Sequence, residues 1–219
     1  MFLSYQTVPK HTISVVPLQL NESLFLWYTV VVKNTEKVLY IAFLRGINVG
    51  GRFVAMEKLR RIFEDLGFSS VASYIQSGNI FFVSSEQEED SLQRKIEESL
   101  QQVLGYSVAV CIRRLEELEK MMEDNPFKSI SVMPDMRFAV MFLSKPTTTV
   151  LPVPFLTPDG GYEVIGKTKK ELFVIWHLQK GRPSSSYGYL EKKLTVSTTT
   201  RFWHTTQKIL SAAQKTVIS

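Results

Sequence analysis

Between Val38 and Ile112 the period of the apolar residues changes in a set order, and no other feature of the chain narrows its fold so far. Val38-Leu39-Tyr40-Ile41-Ala42-Phe43-Leu44 is a continuous apolar run of strand length, as expected of a strand covered on at least one face. A glycine-bearing loop, Gly46 to Gly51, follows it. Met56, Leu59, Ile62, Phe63 and Leu66 then recur at helical spacing with charged residues between them, which predicts an amphipathic helix stopped by Gly67. Val71–Gln76 and Ile80–Val83 read as strands, and the Ser77-Gly78-Asn79 link between them is short enough to force an antiparallel hairpin. Gln87–Leu104 predicts a second helix, with acidic residues in its first turn and Gly105 at its end, and Val108–Ile112 a fourth strand. Strand, helix, strand, strand, helix, strand is the split βαβ order, in which two helices pack on one face of a four-stranded antiparallel sheet.

The second half repeats this pattern less regularly. Arg113–Asn125 predicts a helix broken by Pro126, and Phe138–Leu143 a strand. Pro146, Pro152, Pro154 and Pro158 make 147–161 irregular. Tyr162–Ile165 and Glu171–Leu178 read as strands joined through a turn at Gly166 and Lys167. A loop is expected over Gly181–Ser186, then helices over Tyr187–Leu194 and Thr199–Ala213. The fold class expected is therefore α+β, with two ferredoxin-like α/β-plait subdomains, 38–112 and 113–219, the second degraded.

Residues 1–37 stand apart. They mix Pro9, Pro17 and polar residues with a short apolar run and hold neither helical nor strand periodicity, so an appended, poorly ordered segment is expected. The apolar stretch Leu24–Val32 is too short for a membrane-spanning helix, which takes roughly 20 residues. One cysteine, Cys111, cannot close an internal disulfide. At 44% hydrophobic and 21% charged, the composition is that of a globular chain with a sizeable core, and together these features point to a cytoplasmic protein. Net charge is +5 but unevenly placed: +1 over 1–37, −4 over 38–124 and +8 over 125–219. The C-terminal lysines and arginines are scattered rather than run together, which favours a solvated surface over a nucleic-acid patch.

Two motifs invite a phosphate reading. Gly161-Tyr162-Glu163-Val164-Ile165-Gly166-Lys167-Thr168 matches G-x-x-x-x-G-K-[ST], but its bulky interior and β-prone flanks cannot curl successive amides around a phosphate, so it is read as a hairpin. The loop Leu44-Arg45-Gly46-Ile47-Asn48-Val49-Gly50-Gly51-Arg52 is the stronger candidate. Its glycines permit positive φ and close backbone approach, a helix follows, and Arg45 and Arg52 add charge. The same segment also reads as a tight strand-to-helix connection without a ligand. Gln76, Ser77 and Asn79 join the site only if the fold brings their bend beside the glycine loop. His11, His177 and His204 are far apart, no metal-ligand or Gly-x-Ser-x-Gly spacing occurs, and Cys111 reads as a small buried residue. No metal and no cofactor are expected. Phe81 and Phe82 could stack bases only if the helix-free face of the sheet were open.

The block Tyr40-Ile41-Ala42-Phe43-Leu44-Arg45-Gly46-Ile47-Asn48-Val49-Gly50-Gly51, followed by Tyr74-Ile75-Gln76-Ser77-Gly78-Asn79, closely resembles the bacterial family known as domain of unknown function 1697. The resemblance runs from about Val38 to the C-terminus, taking in Leu190-Glu191-Lys192-Lys193-Leu194 and Thr199-Thr200-Arg201-Phe202-Trp203. It implies two α/β-plait subdomains in a cytosolic bacterial protein and implies no activity. The chain departs from the family's pattern at Phe202, where Asn is usual, and where prolines replace a helix after Phe142-Leu143.

The function expected from these residues is a non-catalytic binding module. Arg45, Gly46, Asn48, Gly50, Gly51, Gln76, Ser77 and Asn79 would hold an anionic ligand, a nucleotide or a nucleic-acid phosphate. Two alternatives stay open: an enzyme using the same loop, and a scaffold whose open sheet face pairs with a second copy to form a homo-oligomer. No membrane partner is expected.

Overall fold

The computed structural model describes residues 12–19, 25–32, 36–51, 53–179, 181 and 187–218. The chain divides into two compact units, Met1–Lys37 and Val38–Ser219. In the first, β1 (Thr12–Gln19) and β2 (Phe25–Val32) pair antiparallel, from Thr12 opposite Val32 to Gln19 opposite Phe25. The residues of this hairpin show no strand period in the sequence. The β-branched and aromatic content of Phe-Leu-Trp-Tyr-Thr-Val-Val-Val supports a strand without any alternation.

The second unit is an α+β structure with two antiparallel sheets. Its first half runs β3 (Val38–Leu44), α1 (Met56–Asp65), β4 (Ser69–Ser73), β5 (Asn79–Ser84), α2 (Glu89–Leu104) and β6 (Val110–Arg114), in the sheet order β4-β5-β3-β6. Alternation along β3 explains its continuous apolar run. Tyr40, Ala42 and Leu44 face α1 and α2, where they meet Leu59, Phe63, Leu92, Ile96 and Leu100. Leu39, Ile41 and Phe43 face the other way, with Phe81 and Cys111, into a second core.

That second core is shared with the rest of the unit. There follow α3 (Leu115–Asp124), β7 (Met136–Leu143), β8 (Phe155–Leu156), β9 (Tyr162–Lys167), β10 (Glu171–His177), α4 (Tyr187–Leu194), β11 (Thr198–Phe202) and α5 (Trp203–Ile218), with the sheet order β11-β7-β10-β9-β8. Val140, Phe142 and Phe173 of this sheet, with Leu118 of α3 and Ile209 and Ala213 of α5, cover the helix-free face of the first sheet. The rings of Phe43 and Phe142 stack with centroids 4.0 Å apart. Leu190 and Leu194 of α4, with Leu151 and Val196, close the far face of the second sheet. The helix-free face, whose openness base stacking or pairing with a second copy would require, is therefore filled from within the chain.

Three sequence expectations are corrected. Thr199–Ala213 is not one helix: Thr198–Phe202 is a strand paired with β7 from Thr198–Leu143 to Phe202–Ala139, and the helix starts at Trp203. Three consecutive β-branched threonines suit the strand, and pairing to a buried strand outweighs the helical period that begins downstream. Arg113 and Arg114 belong to β6 rather than to the following helix. The turn between β9 and β10 lies over 168–170 rather than at Gly166 and Lys167. Gly166 sits within β9 opposite Phe173, whose ring carbon would lie 3.2 Å from an added Cβ, so this glycine makes room for a ring. The G-x-x-x-x-G-K-T letters form a strand, as the rejection of a phosphate loop required. Among the described residues no helix is long and apolar enough to cross a membrane.

Candidate functional site

The end of β3 and the bend before β5 meet through their backbones. Leu44 N–H donates to Gly78 O at 2.8 Å, and a Cβ on Gly78 would lie 2.9 Å from the Leu44 Cβ and 3.1 Å from the Ile47 Cβ. Only a glycine, here at φ +73°, lets the two corners approach this closely. Asn48, at φ +58°, locks them together. Its Oδ1 accepts Val54 N–H at 2.7 Å, while its Nδ2 donates to Val54 O at 3.2 Å and to Gln76 O at 2.7 Å. The glycine loop is thereby closed on itself and fastened to the Ser77 bend, the adjacency on which the candidate site depends.

Asn79 is fully buried below this junction. Its Nδ2 donates to Tyr74 O and Ser77 Oγ, each at 3.0 Å, and its Oδ1 accepts Arg201 Nε at 2.7 Å. Arg201, 8% exposed, reaches across from β11. Its Nη2 donates to Ser77 O at 2.7 Å and Leu44 O at 3.2 Å, and its Nη1 to Thr199 Oγ1 at 2.8 Å and Thr200 O at 2.9 Å. The guanidinium lies over the Phe43 ring, 5.7 Å from its centroid. A planar fork of five donors matches several acceptors held at fixed angles, which an ammonium could not do.

Between these corners and the start of α5 lies an open hollow of about 290 Å³, lined by Leu44, Gly46, Ile47, Val49, Ile75, Ser77, Thr200, Arg201, Phe202 and Thr205. Of the eight residues singled out in the sequence, Gly46 and Ser77 line it. Asn48 and Asn79 build its frame with their side-chain amides. Arg45 turns away to α4, where its Nη2 meets Glu191 Oε2 at 2.7 Å. Gly50 and Gly51 take positive φ in an exposed loop with no neighbour at the Cβ position, and the Gln76 side chain is exposed. Arg52 lies outside the described residues. Thr200, Arg201, Phe202 and Thr205 were missed because their segment read as a helix; the Thr-Thr-Thr run was the signal for a strand.

Cys111 has no part in this chemistry. Burial pushes its thiol up to about 12, and its Sγ donates to Phe142 O at 3.4 Å. His177 pairs with Glu163 at 3.1 Å in another groove, and His204 contacts Thr205. No cluster of three metal-ligating side chains occurs among the described residues.

The family model described as "Protein of unknown function (DUF1697)" matches residues 38–173. The chain belongs to the DUF1697 family. Both corners of the hollow that lie in the first half, Leu44–Val49 and Ile75–Ser77, fall within the DUF1697 match, whereas the β11–α5 wall lies beyond it. Among solved structures, that of the conserved bacterial protein SP0830 from Streptococcus pneumoniae is similar to this chain. It has a TM-score of 0.56 and 24% identity, over 82% of this chain and 99% of that one, a likeness of fold. No curated protein matches the chain.

Proposed function

We propose that the unit Val38–Ser219 is a binding module for a small anionic ligand of the nucleotide or nucleic-acid-phosphate class, held in the hollow between the glycine loop, the Ser77 bend and the β11–α5 corner. The observation that carries this reading is the Arg201 guanidinium, fixed by main-chain carbonyls and the Asn79 amide in the wall of a solvent-open hollow. A buried cation that cannot swing away presents a preorganised positive potential, and the first turn of α5 adds the favourable end of a helix dipole to the same wall. Ser77, Thr200 and Thr205 add polar residues to its lining. A cytoplasmic setting goes with this reading, supported by the single buried thiol.

The test is a thermal-shift and calorimetric screen of nucleotides, phosphorylated metabolites and short oligonucleotides. The protein is compared with Thr205→Glu, which sets a carboxylate at the hollow, and Arg45→Ala, which does not touch it. A ligand whose shift vanishes in Thr205→Glu and persists in Arg45→Ala supports the site. Hits retained equally in both variants would remove it.

A further inference from the structure

The lining of the hollow is mixed in kind: Arg201, Ser77, Thr200 and Thr205 are polar, and Leu44, Ile47, Val49, Ile75 and Phe202 apolar. Val49 is 60% exposed and Ile75 48% exposed, so neither large aliphatic side chain is where it is for the sake of the core. Ile75 sits at φ +49°, a region that a β-branched residue enters only at a cost in backbone strain. The neighbouring contacts hold it there from both sides: Tyr74 N–H donates to Asn79 O at 3.1 Å, and Gln76 O accepts from Asn48. A strained residue thus presents an apolar side chain to the hollow rather than to the interior. An inorganic anion or a bare sugar phosphate would meet the polar residues and the Arg201 potential and leave the apolar residues wet. A ligand carrying a flat apolar body on its anion would dehydrate both. The volume, about 290 Å³, lies at the small end of ligand sites and suits one nucleotide unit rather than a strand.

We infer that the hollow takes a single nucleoside monophosphate, its phosphate toward Ser77 and Thr205 in the positive potential of the fully hydrogen-bonded Arg201, and its base against Val49 and Ile75. This rests on the anion-binding reading above and deepens it by assigning the second half of the ligand. The decisive comparison is calorimetric binding of adenosine monophosphate, ribose 5-phosphate and a short adenine oligonucleotide to the full chain at fixed ionic strength, with wild type and Ile75→Asn. Asparagine tolerates positive φ, so this variant removes the apolar wall without endangering the fold, which its unchanged or raised melting temperature checks. Adenosine monophosphate is expected to bind about tenfold or more tighter than ribose 5-phosphate, and Ile75→Asn to erase that preference while leaving ribose 5-phosphate unaffected. Equal affinities in the wild type, a preference that survives Ile75→Asn, or tighter binding of the oligonucleotide than of the mononucleotide would overturn the base assignment alone. Failure of every phosphate-bearing probe to bind would overturn the anion reading as well.

Discussion

The backbone of Gly78 holds φ at +73° with the Leu44 and Ile47 Cβ atoms against the place where its own would be. Those atoms are rooted in β3 and its loop, so neither can yield as a flexible side-chain end would. Gly78→Ala is expected to cost about 2–4 kcal/mol, from the positive φ and the overpacked contact together, measured as a lower urea midpoint at unchanged slope. Gly67 is the matched control, with φ +83° and nothing within 4 Å of a Cβ. Gly67→Ala should cost only the φ contribution, about 1–2 kcal/mol. Equal losses at the two sites would mean that close approach is not what holds the corners together. The turn chemistry at Gly46, Asn48 and Gly78 was legible in the sequence because it is local: positive φ and side-chain amides belong to turns wherever they occur. The Asn79–Arg201 bond was not, since its partners stand far apart in the chain and only the packing of two sheets brings them together.

Elements with a strong pattern were legible: α1 and α2 follow from their helical spacing and β3 from the length of its continuous apolar run, because each lays one face or two against a core. Thr198–Phe202 was not, since a short edge strand beside a helix has too few residues to show a period and owes its state to β7. The junction of α2 with β6 offers a test at this scale. Glu97 accepts Val110 N–H at 2.9 Å, and burial raises its pKa above the ordinary 4.5, ahead of the opposing effect of that hydrogen bond. The folded state therefore holds the Glu97 proton more tightly than the unfolded state. Below pH 4.5 both states are protonated and burial costs nothing; above the raised pKa both are ionised and the cost is fully present. Glu97→Gln keeps an acceptor for Val110 and removes the charge. The variant should be more stable than wild type at pH 7, with the advantage fading as pH falls through the raised value towards 4.5 and below. Urea titrations at several pH values decide it, and a constant difference across that range would show that the charge is not the source.

Over the whole Val38–Ser219 unit, each half sends one buried arginine into the other. Arg201 of β11 grips the carbonyls of Leu44 and Ser77, and Arg113 of β6 answers from the first sheet. Its Nη2 donates to Leu143 O at 3.0 Å and Lys170 O at 2.6 Å, and its Nε donates to Glu171. Around Arg113, Lys170 Nζ meets Glu89 at 2.6 Å and Glu117 at 3.1 Å, tying the β9–β10 turn to α2 and α3. Carbonyls and carboxylates buried with a guanidinium are costly once it leaves, so neither half can shed the other without exposing groups that water must then satisfy. The apolar ledger points the same way. Leu39, Ile41, Phe43, Phe81 and Cys111 line the helix-free face of the first sheet and have the second sheet, α3 and α5 as their cover. Residues 38–114 therefore hold β3 to β6 with α1 and α2 yet leave the helix-free face of their sheet uncovered. Expressed alone, this fragment is expected to bind a hydrophobic dye and to unfold without a cooperative transition, whereas 38–219 should unfold in one step seen alike by far-UV circular dichroism and tryptophan fluorescence. A sharp, dye-free transition for the fragment would mean that the two sheets are independent bodies, and the hollow at their junction would then be a seam between them rather than a feature of one core.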